Sequence, residues 1–135
     1  MRGMTNRTAT GTFDMHAWTP TEYDTQPGAQ LTKVSAQKAF HGDIEGTSSA
    51  ELIMVAVPDG DEYQGAAYVG VERISGSVHG HAGNFVVTHI ADAATGMTVA
   101  VVPGSGTGEL AGLSGHLTID RTDDGSHTYT FEYDL

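Results

Sequence analysis

The chain contains no cysteine, which removes disulfide staples and thiol nucleophiles alike. It has no apolar run approaching the ~20 residues that a membrane helix needs. Its first ten residues, Met1 to Thr10, carry no apolar stretch of the signal-peptide kind. Basic residues are scarce: 6 Lys and Arg face 17 Asp and Glu, for a net charge of -11. A nucleic-acid binder needs a basic footprint, and an anionic membrane surface repels this balance. The expectation is therefore an acidic cytoplasmic protein without nucleic-acid or membrane partners. The helical period of apolar residues is also missing along the chain.

Short alternating segments separated by turn signals fill the space instead. The first predicted strand runs from Thr8 to Trp18, with Phe13, Met15 and Ala17 on one face and Asp14, His16 and Trp18 on the other. Pro20, Pro27 and Gly28 mark a long loop over Thr19 to Gln30. Further strands are expected at Leu31–His41, Ile44–Val57, Ala66–Ser77, Gly83–Ala91, Met97–Val102, Glu109–Ile119 and Thr128–Leu135. In the second, Val34, Ala36 and Phe40 are in phase; in the last, Tyr129, Phe131, Tyr133 and Leu135 should face inward. About eight strands with short connections favour a closed antiparallel barrel, whose interior is filled by side chains or holds one small ligand. A sandwich is the structural alternative. The 135 residues read as one domain, residues 1–7 being a flexible N-terminal extension.

Four glycines lie in the nine residues from Gly104 to Gly112. The position that a dinucleotide loop reserves for its third glycine is Glu109, and no helix pattern follows. A structural hairpin or bulge is the plainer reading; a loop at a barrel mouth, with Ser105 and Thr107 facing a ligand, is the functional one. His79-Gly80-His81 resembles half of a metal site, but no carboxylate follows at ligand spacing. No metal and no cofactor are expected.

Glu51, Glu72 and Glu109 each lie inside or beside apolar or small-residue segments, and with His89 they are the candidate catalytic groups. Burial of such a carboxylate would raise its pKa and make it a general acid or base. The plainer reading is a hydrogen-bonded pair that fixes strand register. Tyr68 shares a face with Glu72 and could orient a polar group. The candidate ligand-binding set is Tyr68, Glu72, His89, Ser105, Thr107 and Trp18.

Four segments carry a family resemblance: Gly11-Thr12-Phe13 with Trp18; His41 to Gly46 with Glu51 to Met54; Tyr68 to Gly76; and Val102 to Leu110. On these the chain resembles the bacterial domain-of-unknown-function family 3224 (DUF3224). That family looks like small barrels grouped by fold with the plant allene oxide cyclases. The resemblance implies a barrel and self-association into a homo-oligomer. It implies no reaction: the plant enzymes use a cysteine beside a glutamate, and this chain has none. Three functions follow as expectations. The first is a barrel that binds a small apolar ligand. The second is a cofactor-independent isomerase or cyclase using a buried glutamate, and the third is a structural protein whose barrel is filled.

Overall fold

In the computed structural model, which describes residues 6–135, eight strands close an antiparallel barrel in chain order. They are β1 (Arg7–Asp24), β2 (Gln30–Gly42), β3 (Ile44–Asp59), β4 (Glu62–Val78), β5 (His81–Asp92), β6 (Gly96–Val101), β7 (Ser114–Arg121) and β8 (His127–Asp134). One turn of 3-10 helix, Gly108–Leu110, interrupts the loop between β6 and β7. Of the expected N-terminal extension, residues 1–5 lie outside the described residues, whereas Arg7 already pairs with Tyr133 in the β1–β8 ladder.

Each strand alternates because successive side chains point to opposite faces. Tyr129, Phe131 and Tyr133 enter the interior from β8, and Phe85, Val87 and His89 from β5. Phe13, Phe40, Ile44, Ile74 and Val78 complete one end of a continuous core. That end is plugged by Leu110 and Leu113 from the glycine-rich loop, which are 1% and 2% exposed. Tyr129 anchors it too. Its hydroxyl accepts the Ile44 N–H at 2.7 Å and donates to the His41 carbonyl at 3.0 Å.

Three expectations are corrected. The loop over Thr19 to Gln30 is strand as far as Asp24. Pro20 is tolerated there because β8 pairs with β1 only up to Phe13, so the missing N–H of Pro20 lies on a free edge. Trp18 does not oppose Phe13 and Met15: a β-bulge between Met15 and Ala17 inserts His16, and Trp18 then pairs with buried Ala36 on the inner face. The strand expected from Glu109 begins only at Ser114. Gly108 (φ 59°) and Gly112 (φ 87°) turn the preceding segment into the plug instead.

Candidate functional site

The barrel is filled at one end and hollow at the other. The hollow part is a cavity of about 190 Å³ between the core and the turns that join β1 to β2, β3 to β4, β5 to β6 and β7 to β8. Ala36, Leu52 and Ile119 form its walls, and Met54 and Tyr68 stand higher. Met15, Trp18 and Met97 ring the opening, being 39%, 46% and 44% exposed. The volume exceeds the ~150 Å³ of an apolar protein cavity that takes benzene.

A polar layer separates cavity from core, and it steps diagonally across four neighbouring strands. Lys38 on β2 pairs in register with Ser48 on β3, and Glu72 on β4 lies diagonal to both Ser48 and His89 on β5. Gly70 stands opposite His89, between Tyr68 and Glu72. A side chain there would strike Leu52 and the Glu51 carbonyl at about 2.5 Å. With that position empty, the His89 ring reaches both neighbours of Gly70.

Glu72 is 2% exposed and its carboxylate accepts three hydrogen bonds. One oxygen accepts Lys38 Nζ at 3.2 Å and His89 Nε2 at 2.7 Å; the other accepts the Ser48 hydroxyl at 2.5 Å. Burial is the largest single influence and pushes this carboxyl up. The His89 hydrogen bond, the Lys38 charge, the Ser48 hydrogen bond and the His89 charge together outweigh it, and hold the group at about 2 against an ordinary 4.5. The expectation that burial raises this carboxyl is thereby overturned: Glu72 stays ionised and cannot serve as a general acid near neutral pH.

An ionised carboxylate only accepts, so Nε2 of His89 is the donor toward Glu72. Its Nδ1 faces the Tyr68 hydroxyl at 3.2 Å. That hydroxyl also reaches Met97 Sδ at 3.1 Å, and a single O–H cannot donate to both. The Tyr68 hydroxyl resists ionisation because burial comes first and the nearby Glu72 charge adds to it. The result is a chain of contacts from a fixed negative charge to a neutral hydroxyl at the cavity.

Tyr68, His89 and Trp18 of the sequence-derived set thus come together at the cavity, with Glu72 directly beneath. Glu51 does not join them. It points outward from β3, is exposed, and accepts the Ser35 hydroxyl at 2.7 Å. Ser105, Thr107 and Glu109 serve the wall. Their side chains accept the N–H groups of Val86, Asn84 and Ala82 at 3.0, 3.1 and 3.0 Å. This antiparallel ladder of side chains continues the barrel where β6 ends, so the mouth-loop role expected for Ser105 and Thr107 is replaced by strand closure. Lys38 and Ser48 were not among the sequence candidates, although Lys38 continues the phase of Val34, Ala36 and Phe40. His79 lies in the turn between β4 and β5 and His81 opens β5; the His79 Nδ1 contacts the Tyr133 hydroxyl. Among the described residues no group of three or more His, Cys, Asp or Glu could hold a metal ion. No helix among them is long and apolar enough to cross a membrane.

A family model described as "Protein of unknown function (DUF3224)" matches residues 9–133. A crystal structure of a DUF3224 protein of unknown function from Shewanella oneidensis MR-1 superposes with a TM-score of 0.82. It is 30% identical, and the match covers 97% of each chain. No curated protein matches the chain. These findings carry the family and the barrel, and do not extend to the allene oxide cyclase likeness.

Proposed function

The chain belongs to the DUF3224 family, and from that footing we propose that it is a cytoplasmic small-molecule-binding barrel. The apolar body of the ligand occupies the hollow end, and its polar end rests on the layer of Lys38, Glu72, His89 and Tyr68. The observation that carries this reading is the cavity itself: about 190 Å³ of space with a mostly apolar lining stands over a fixed set of polar groups. A wholly filled structural barrel would leave no such space. The isomerase or cyclase reading asked for a buried glutamate as general acid or base; Glu72 held at about 2 has no proton to give at neutral pH and is only a weak base, which favours the binding reading.

Trp18 is the single tryptophan and lines the cavity, which makes it an internal reporter. Titration with toluene is expected to shift its emission to shorter wavelength and to saturate. The same titration of Ala36→Leu, whose added methyls project into the cavity, should leave the emission unmoved. A wild-type response that never saturates, or that survives in Ala36→Leu, removes the proposal.

Self-association is the second part of the reading. Val69, Val71 and Ile90 on the outer face of β4 and β5 are 50%, 50% and 60% exposed, and Val69 and Ile90 are direct cross-strand partners. Two copies meeting across a two-fold axis would cover each other's stripe. Sedimentation velocity should find an oligomer for the wild type and a monomer for Ile90→Lys. A wild type that stays monomeric at the highest concentration it tolerates ends this part of the proposal.

A further inference from the structure

We propose that the ligand of this cavity presents an oxygen acceptor, a carbonyl or carboxylate, to the Lys38 ammonium, on a body about the size of one six-membered ring. The inference rests on the binding reading above and assigns its chemical class. Lys38 is 8% exposed and lines the cavity. An ammonium has three N–H donors. One meets Glu72, and the charge also lies 4.7 Å from the centre of the Phe13 ring. Among the described residues no acceptor takes the other two donors. A buried donor left without an acceptor is costly, so the group favours a ligand that brings one.

The other polar groups of the lining are Tyr68, His89 and His127. No aspartate or glutamate lines the cavity, and the Glu72 oxygens beneath it are already engaged by three donors. The Tyr68 hydroxyl has only a thioether and an imidazole nitrogen for partners, and a thioether is a weak acceptor. A ligand oxygen at Lys38 would be met by its unpaired N–H donors and opposed by no carboxylate in the lining. A ligand whose polar end only donates would leave the Lys38 donors unmet and, if cationic, would meet their positive charge. The volume sets the body: space somewhat larger than one benzene leaves room for a ring with a short polar substituent.

Calorimetric titration with toluene, acetophenone, benzoate and benzylammonium tests this. Acetophenone, benzoate or both are expected to bind at least about tenfold tighter than toluene, the gain of one hydrogen bond to a charged donor. Benzylammonium should bind weakest. Which of the two oxygen ligands leads tells carbonyl from carboxylate. The double variant Lys38→Met/Glu72→Gln, which leaves no unpaired charge behind, should lose the preference for oxygen, read as the ratio of oxygen-ligand to toluene affinity within the variant. Its thermal unfolding transition checks that it folds. Should the variant not fold, the order of the four wild-type affinities decides alone. Equal affinity for toluene and both oxygen ligands, or a preference that survives in the folded double variant, overturns the assignment while the binding reading stands. Failure of all four probes overturns both.

Discussion

Glu72→Ala is expected to destabilise the protein by about 3–5 kcal/mol, the cost of breaking a buried ion pair from one side. The substitution strands the Lys38 ammonium, 8% exposed, and deprives His89 and Ser48 of their acceptor. The double variant Lys38→Met/Glu72→Leu is expected to recover most of that loss, because a well-packed apolar pair often equals a buried ionic one. Urea denaturation of the two variants at neutral pH measures the difference. If Glu72→Ala costs less than about 1 kcal/mol, the range of exposed pairs, water reaches the layer freely and Glu72 does not hold it together.

The same carboxylate gives the stability a pH dependence. Its folded value of about 2 lies below the ordinary 4.5, so its contribution is complete above about 4.5 and disappears as the pH falls through about 2. At about 1.4 kcal/mol per pH unit, it is worth about 3 kcal/mol at neutral pH. Glu72→Gln should flatten the acid limb between those two values relative to the wild type.

Gly83→Ala is expected to cost about 3 kcal/mol or more, at the upper end of overpacking effects. A Cβ on Gly83 would stand 2.1 Å from the carbonyl oxygen of Thr107. That oxygen belongs to a backbone held by its own hydrogen bonds and cannot swing aside as a flexible side chain would. The segment it displaces carries the three side chains that accept the Ala82, Asn84 and Val86 amides, and leads into Leu110 of the plug. Hydrogen exchange should therefore accelerate at those three amides before it does elsewhere. Gly65→Ala is the matched control, since nothing lies within 4 Å of the added methyl. Equal stability of the two variants would show that the loop yields easily and that its ladder matters little to closure.

The barrel was legible because most strands keep a strict period of two. Phe85, Val87 and His89 on β5, and Tyr129, Phe131 and Tyr133 on β8, needed only their alternation. The site was legible where that alternation placed polar groups on an apolar face, as for Glu72 and Tyr68. It failed where both faces are apolar: on β3, Leu52 points in and Ile53 out, so the sequence around Glu51 does not tell which way the carboxylate turns. Lys38 shows the opposite difficulty. Its phase was plain, but a lone lysine on an apolar face is hard to credit until its partner, 34 residues away, is brought beside it by the sheet. Pro20 looked like a breaker because nothing local shows that its strand has a free edge. The Ser105, Thr107 and Glu109 spacing of two was visible, but the β5 amides it serves are defined only by the closed sheet.

The extra residue at His16 changes how relatives of this barrel should be compared. The bulge uncouples the count along β1 from the direction its side chains face: the two halves of the strand are out of step by one. A relative without the bulge keeps the same inward set with one residue fewer. A gapless alignment across residues 15–17 would then match its outward side chains to the inward ones here, and Trp18 would be scored against a surface position. Residues at the mouth should be traced from one family member to another by face, with a one-residue gap admitted at the bulge, rather than by column.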